Sequence, residues 1–362
     1  MTASGDERDA VHGHDAGAAR STRTVRTTES TGTTGAAGLT PARARRAALR
    51  CLAGSLTLVT VLGHLVPGFE QPCLAPVAGA ATGVAAELVL ESLDAWACLR
   101  RPRYLSPRSG RAGGTLDFFL PSYVTGLLCA MFLYGGGRLS PVVLATLVGV
   151  SGRYVLRFRG TGGPVLNPAA LGTATVLLLS WNGAAPYRFT AVAPEPFDVV
   201  APPVVLGLGV ALHAGLTGRL PLLAGWAGGF AAQAVVRGVL SGVSVMDALL
   251  PVTGVAFALY TVYVVADPDT TPAGRRAQVV FGAATAAVHG LLVVLGVDRG
   301  PFLALVAVCA CRGAALAVRA RWRRRAARAL AVSSAARPAV SPGTAPAAST
   351  ATAATAATAE PR

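Results

Sequence analysis

Ten predominantly apolar runs dominate the chain, at residues 47–66, 73–93, 116–135, 139–156, 166–182, 199–217, 219–240, 248–266, 277–297 and 300–318. Each is about 17 to 22 residues long, and a helix rising about 1.5 Å per residue needs roughly that length to cross a hydrocarbon layer of about 30 Å. With 52% hydrophobic and only 14% charged residues, the composition lies outside the range of soluble domains. The expectation is an all-α polytopic membrane protein with about ten transmembrane helices.

The net charge of +15 comes entirely from arginine, since no lysine occurs. A nucleic-acid binder would also be basic. Here, however, the arginines stand at the ends of the apolar runs and are not interleaved with aromatics on a polar surface, so no nucleic-acid partner is expected. An even number of crossings puts both termini on one side. The flanks on that side carry 21 arginines, from Arg43 through Arg328, against Arg138, Arg188, Arg237 and Arg299 on the other. Positively charged flanks stay inside, so the termini are expected in the cytoplasm and the protein in the plasma membrane.

Three regions follow. Residues 1–44 are polar, lack the apolar core of a secretory signal and read as a disordered cytoplasmic tail. Residues 45–320 form the transmembrane domain, and residues 321–362 begin basic and pass into an Ala/Pro/Ser/Thr-rich tail too poor in apolar surface to order itself. Leu120-Pro121-Ser122-Tyr123-Val124-Thr125-Gly126 opens the third run and Leu250-Pro251-Val252-Thr253-Gly254 the eighth. Five helices separate them, so they run in opposite directions, as a five-plus-five inverted repeat requires.

Two polar interruptions stand out. Tyr263-Val264-Val265-Ala266-Asp267-Pro268-Asp269-Thr270-Thr271-Pro272 closes the eighth run. Thr271 reads as the N-cap of the next helix and Pro272 as its first residue. Asp267 and Asp269 face the negative end of a helix dipole and need partners: Arg275, Arg276 or Arg219, or else a cation or cofactor hydroxyl. In Pro164-Val165-Leu166-Asn167-Pro168, Asn167 reads as an N-cap and Pro168 as the first helical residue, at a helix end able to offer N–H groups to an anion. Asn167, Pro168, Asp267, Asp269, Thr270 and Thr271 are therefore the ligand-binding candidates.

Glu87, Glu91 and Asp94 share a face of the second run. They are either an intramembrane acidic relay through Glu87 and Glu91 or an interfacial cluster paired with Arg100 and Arg101. The six cysteines lack zinc spacing and read as buried thiols, and His64, His213 and His289 stand one per run; no metal site and no self-contained catalytic motif is read here.

Together, GPVLNPAALG (163–172) and VADPDTTP (265–272) resemble the NqrB/RnfD family, membrane subunits of ion-pumping redox complexes. FLPSYVTGLLCAMFLY (119–134), SGRYVLRFRG (151–160), WNGAAPYRFT (181–190), LTGRLPLLAGWAGGFAAQAVVRG (216–238) and LPVTGVAFALYTVYVVADPDTTP (250–272) are similar to its UnbU-like group from enediyne biosynthesis clusters. The resemblance implies ten helices in an inverted repeat and, for the family proper, a flavin esterified to a threonine in a Ser-Gly-Ala-Thr-like motif. Here Thr190 is flanked by Phe189 and Ala191, and Ser241-Gly242-Val243-Ser244 follows the seventh run and ends in serine. Both positions depart from the acceptor signature. The functions left open are a redox component holding flavin (FMN or riboflavin) or quinone noncovalently, a transporter of product, ion or precursor, and a cofactor-free anchor for pathway proteins.

Overall fold

The computed structural model describes residues 41–65, 71–105, 114–157, 163–179, 184–186, 195–242, 244–297 and 299–335. Most of both expected tails lies outside the described residues. The helices in chain order are α1 (Pro41–Leu65), α2 (Leu74–Ala97), α3 (Thr115–Phe132), α4 (Ser140–Val155), α5 (Pro168–Leu179), α6 (Glu195–Leu212), α7 (Leu220–Ser241), α8 (Val245–Leu249), α9 (Val255–Leu259), α10 (Arg275–Val294) and α11 (Gly300–Ala335). A π-helical turn, His213–Thr217, extends α6, and another, Tyr260–Val265, extends α9.

Every expected run falls on a helix or helix pair. Among the described residues, six helices are long and apolar enough to cross a membrane, seven if the bent pair α8–α9 is one span. The expectation of ten crossings is thus met only in part: α4 and α5 are shorter, at 16 and 12 residues, and α7, though 22 residues long, is not among the helices that are apolar enough. Much of the exposed surface is apolar, including Leu93, Val236, Val239, Leu240, Val280 and Leu291. So much uncovered apolar surface on apolar helices makes this a protein of the lipid bilayer.

Close backbone contact joins the helices. Gly79 and Gly126 lie so near that a Cβ on either would overlap the other's carbonyl, and Gly83 meets the Ser122 carbonyl in the same way. Small residues permit such approach in a bilayer, where dispersion contact replaces the hydrophobic effect as the attraction between helices. α7 and α10 do the same through Gly225 and Gly282. The core runs through α3, α5 and the α9 extension, where Leu127–Leu133, Val176, Leu177 and Leu259–Ala266 are buried.

Three local expectations need correction. The Leu120–Gly126 stretch does not open a helix: α3 starts at Thr115 and carries Pro121 inside it. Its counterpart, Leu250–Thr253, is a 3₁₀ turn at a break where the flanking axes bend by 68°. In addition, α11 continues to Ala335, so the basic segment given to the C-terminal tail begins as helix. Its arginines leave the backbone free to continue, since Arg and Ala are good helix formers.

Candidate functional site

Asn167 caps α5 as expected, its Oδ1 accepting the Ala170 N–H at 2.9 Å. Pro168 follows at the first helical position, where its missing N–H is no loss. The other half of the Asn167 amide reaches across the molecule: Nδ2 donates to the Val264 carbonyl at 3.0 Å and to Asp267 Oδ2 at 3.2 Å. The two polar interruptions, 100 residues apart, therefore meet side chain to side chain. Asn167 is 2% exposed.

The π-helical turn explains why Val264 needs a partner. Wider i→i+5 spacing disturbs the carbonyl ladder at Tyr260–Val265, and side chains from elsewhere bond to this turn. His213 Nε2 lies 2.9 Å from the Val262 carbonyl and Trp226 Nε1 donates to Thr261 Oγ1 at 2.9 Å. Past the helix end, Arg219 donates to the Pro268 carbonyl at 3.1 Å and also to that of Pro272, while Arg312 donates to the Thr270 carbonyl at 2.7 Å.

The carboxylates are held by other groups than the sequence suggested. Asp267 accepts from Asn167, from Thr270 Oγ1 at 3.0 Å and from the Asp269 N–H at 3.1 Å. Asp269 pairs with Arg45 of α1. Arg275 and Arg276 are exposed, and Arg219 serves carbonyls instead. Thr271 is not an N-cap: its hydroxyl donates to the Asp267 carbonyl at 2.6 Å, and α10 starts after Gly274. The Asp-Pro-Asp-Thr-Thr segment is thus a turn of its own, held by bonds within it and by Asn167, Arg219 and Arg312 from other parts of the chain, which delays the helix beyond Pro272. Burial first, and the neighbouring Asp269 second, push the Asp267 carboxyl up to about 6.

A cavity opens beside this junction. Its polar lining comes from Arg45, Arg153, Asn167, Asp267 and Asp269, and its apolar walls include Leu49, Leu52, Val124, Leu128, Pro168 and Tyr263. Thr270 and Thr271 are buried behind it, their hydroxyls bonded to Asp267. Tyr263 is steadied by a hydrogen bond from its OH to Ser55 Oγ at 3.0 Å. Arg45, Arg153 and Tyr263 were missed from the sequence: Arg45 and Arg153 belong to interfacial arginine groups and Tyr263 to an apolar run, and no local pattern separates them from their neighbours.

Glu87 and Glu91 are both buried, in separate networks. Glu87 accepts from Tyr154 OH at 2.8 Å, from Arg153 at 3.3 Å and from Ser122 Oγ. Glu91 accepts from Arg100 at 2.6 Å and from the Arg103 N–H at 2.9 Å, while Asp94 pairs with the same Arg100 at 2.5 Å. Arg103 thus takes the place expected of Arg101. Through Arg153, which also lines the cavity, Glu87 is connected to the site. Ser244 is exposed at the start of α8, and Thr190 lies outside the described residues. Comparison with protein-family models gives no match, and neither does comparison with curated proteins.

Proposed function

We propose that this chain is a ten-helix membrane protein of the NqrB/RnfD kind, close to the UnbU-like group of enediyne pathways, and that it binds a flavin or quinone noncovalently in the cavity beside Asn167 and Asp267. The carrying observation is the junction itself, where two separate polar interruptions close on one cavity with a donor, an acceptor and apolar walls. Binding sites for planar cofactors have that composition: mostly apolar, with a few convergent polar groups. The lining suits the edge of a flavin or quinone ring, because Asp267 offers a lone pair to a ring N–H and Arg45 and Arg153 offer positive charge toward ring oxygens, while Asn167 spends both amide hydrogens on Val264 and Asp267 and so fixes the acceptor in place. Such a group would supply electron transfer when bound. The chain's part is to orient it through Asn167 and Asp267 and to keep water off it with Leu52, Val124, Leu128 and Tyr263.

An inverted five-plus-five repeat is supported by the order of packing. In the first half α1 packs on α3, α2 on α3 and α4, and α4 on α5; in the second, α6 packs on α9, α7 on α8 and α10, and α10 on α11. The arginine bias favours cytoplasmic termini in the plasma membrane. A second reading, a transporter of product, ion or precursor, is favoured by the 68° break between α8 and α9, since transporter sites are commonly built at broken helices.

Visible spectra of the detergent-purified full chain before and after acid precipitation test the redox reading. Colour released to the supernatant, or quinone extracted by organic solvent, is the expected outcome, with less of either in Asn167→Ala. A colourless protein with no extractable quinone overturns it and leaves the transporter reading.

A further inference from the structure

At the other end of α7 lies a group of polar side chains that the cavity does not use. Gln233 and Arg237 stand four residues apart on α7 and so share a helix face. Arg237 is 18 residues along the helix from Arg219, about 27 Å at 1.5 Å per residue. Opposite them on α10 are His289 and Gly290. Gly290 makes room for Gln233, since a Cβ there would stand 2.8 Å from Gln233 Oε1. The His289 ring lies parallel to Phe230, with centroids 5.8 Å apart and planes at 14°. On its other side a Cβ at Gly300 would come within 2.8 Å of His289 Nδ1. Arg237 is within electrostatic reach of His289 and donates through Nη2 to the Ala248 carbonyl at 3.4 Å.

Gln233 Oε1 and Nε2, Arg237 Nε and His289 Nδ1 are buried with no hydrogen-bond partner. Asn167 and Glu87 are buried and each bonded by several neighbours; single atoms of Gln71, Arg219 and Gln278 lack a hydrogen bond as well, but α7 and α10 bring such atoms from three side chains to one helix pair. Polar atoms held out of water are strongly disfavoured unless something bonds them, and here several converge between two helices. Their chemistry selects the partner. The guanidinium repels a cation, and an apolar ligand would leave every one of these atoms unbonded. An oxyanion accepts from Arg237 Nε–H and from Gln233 Nε2–H, leaving Gln233 Oε1 to accept from a His289 Nδ1–H.

We propose that Gln233, Arg237 and His289 form a second binding site, remote from the cavity, for a single oxyanion: a carboxylate or phosphate, free or on a lipid headgroup. The site does not depend on the redox reading, and its test does not involve flavin or quinone.

The full chain is delipidated in an uncharged detergent, and its thermal midpoint is measured with sodium acetate, inorganic phosphate or short-chain phosphatidylglycerol, each against sodium chloride at equal ionic strength. At least one probe is expected to raise the midpoint by several degrees. A rise with acetate or phosphate identifies a free anion, and a rise with phosphatidylglycerol alone identifies a lipid headgroup. Arg237→Gln should weaken the midpoint titration about tenfold or more, because it removes the charge that strengthens these hydrogen bonds. Gln233→Leu, which keeps the volume and removes the unbonded amide, should fold and lose the rise. The proposal is overturned if no probe shifts the midpoint, or if both variants keep the full shift.

Discussion

Asn167 does two jobs with one amide, and only one of them is local. Capping Ala170 could be read from Asn-Pro at a helix start, because a cap bonds within three residues. The bond to Val264 depends on a residue 97 positions away, and no local pattern encodes it. Asn167→Ala should therefore cost more than a cap alone: about 1 kcal/mol for the cap and a further roughly 1–3 kcal/mol for stranding a buried carbonyl. Thermal melts of the purified protein should show a drop of several degrees. Asp267 gives a pH signature whose sign follows from its raised carboxyl. The folded state binds this proton more tightly than the unfolded chain, so the charged carboxylate opposes folding at neutral pH, and that opposition fades as pH falls through about 6 toward the unfolded value of 3.8. Relative to Asp267→Asn, the wild-type protein should gain stability between pH 7 and pH 5. A parallel pair of stability curves would show that Asp267 is not held in this environment.

Helices were the most legible elements, since their length and apolarity depend on each segment's partition into lipid. Their ends were less so. Thr271 and Pro272 have the chemistry of a helix start, yet Thr271 bonds back to Asp267 and the helix waits until Arg275. The local cap competed with an equally local turn, and the turn prevailed because Arg219 and Arg312 bond its carbonyls from other helices. Contacts between elements make a sharper prediction. Gly126→Ala would drive a methyl group into the Gly79 carbonyl, while a Cβ at Gly54 of α1 meets nothing within 4 Å. Overpacking costs about 1–3 kcal/mol, and more where backbone must move, whereas alanine for glycine in an open helix gains up to about 1 kcal/mol. Gly126→Ala should lower the yield of folded protein and its melting temperature, and Gly54→Ala should leave both unchanged or raised.

For the molecule as a whole, orientation is open to direct measurement. Arg276 and Ser244 are both exposed, and the proposed ten-span topology with cytoplasmic termini predicts that they lie on opposite faces of the membrane. In a background without the six native cysteines, an impermeant maleimide should label Ser244→Cys on intact cells and Arg276→Cys only after permeabilisation. The reverse pattern would overturn cytoplasmic termini. The sequence by itself determined that the chain is helical and lives in lipid, because those properties are sums over neighbouring residues. It also marked Asn167 and Asp267 as out of place in their surroundings. Only the tertiary structure decided that these two meet, that Arg45 rather than Arg275 or Arg276 pairs with Asp269, and that Glu87 and Glu91 enter separate networks. Such pairings depend on how helices distant in the chain pack against one another, and many candidate arginines have the same local character until that packing selects among them.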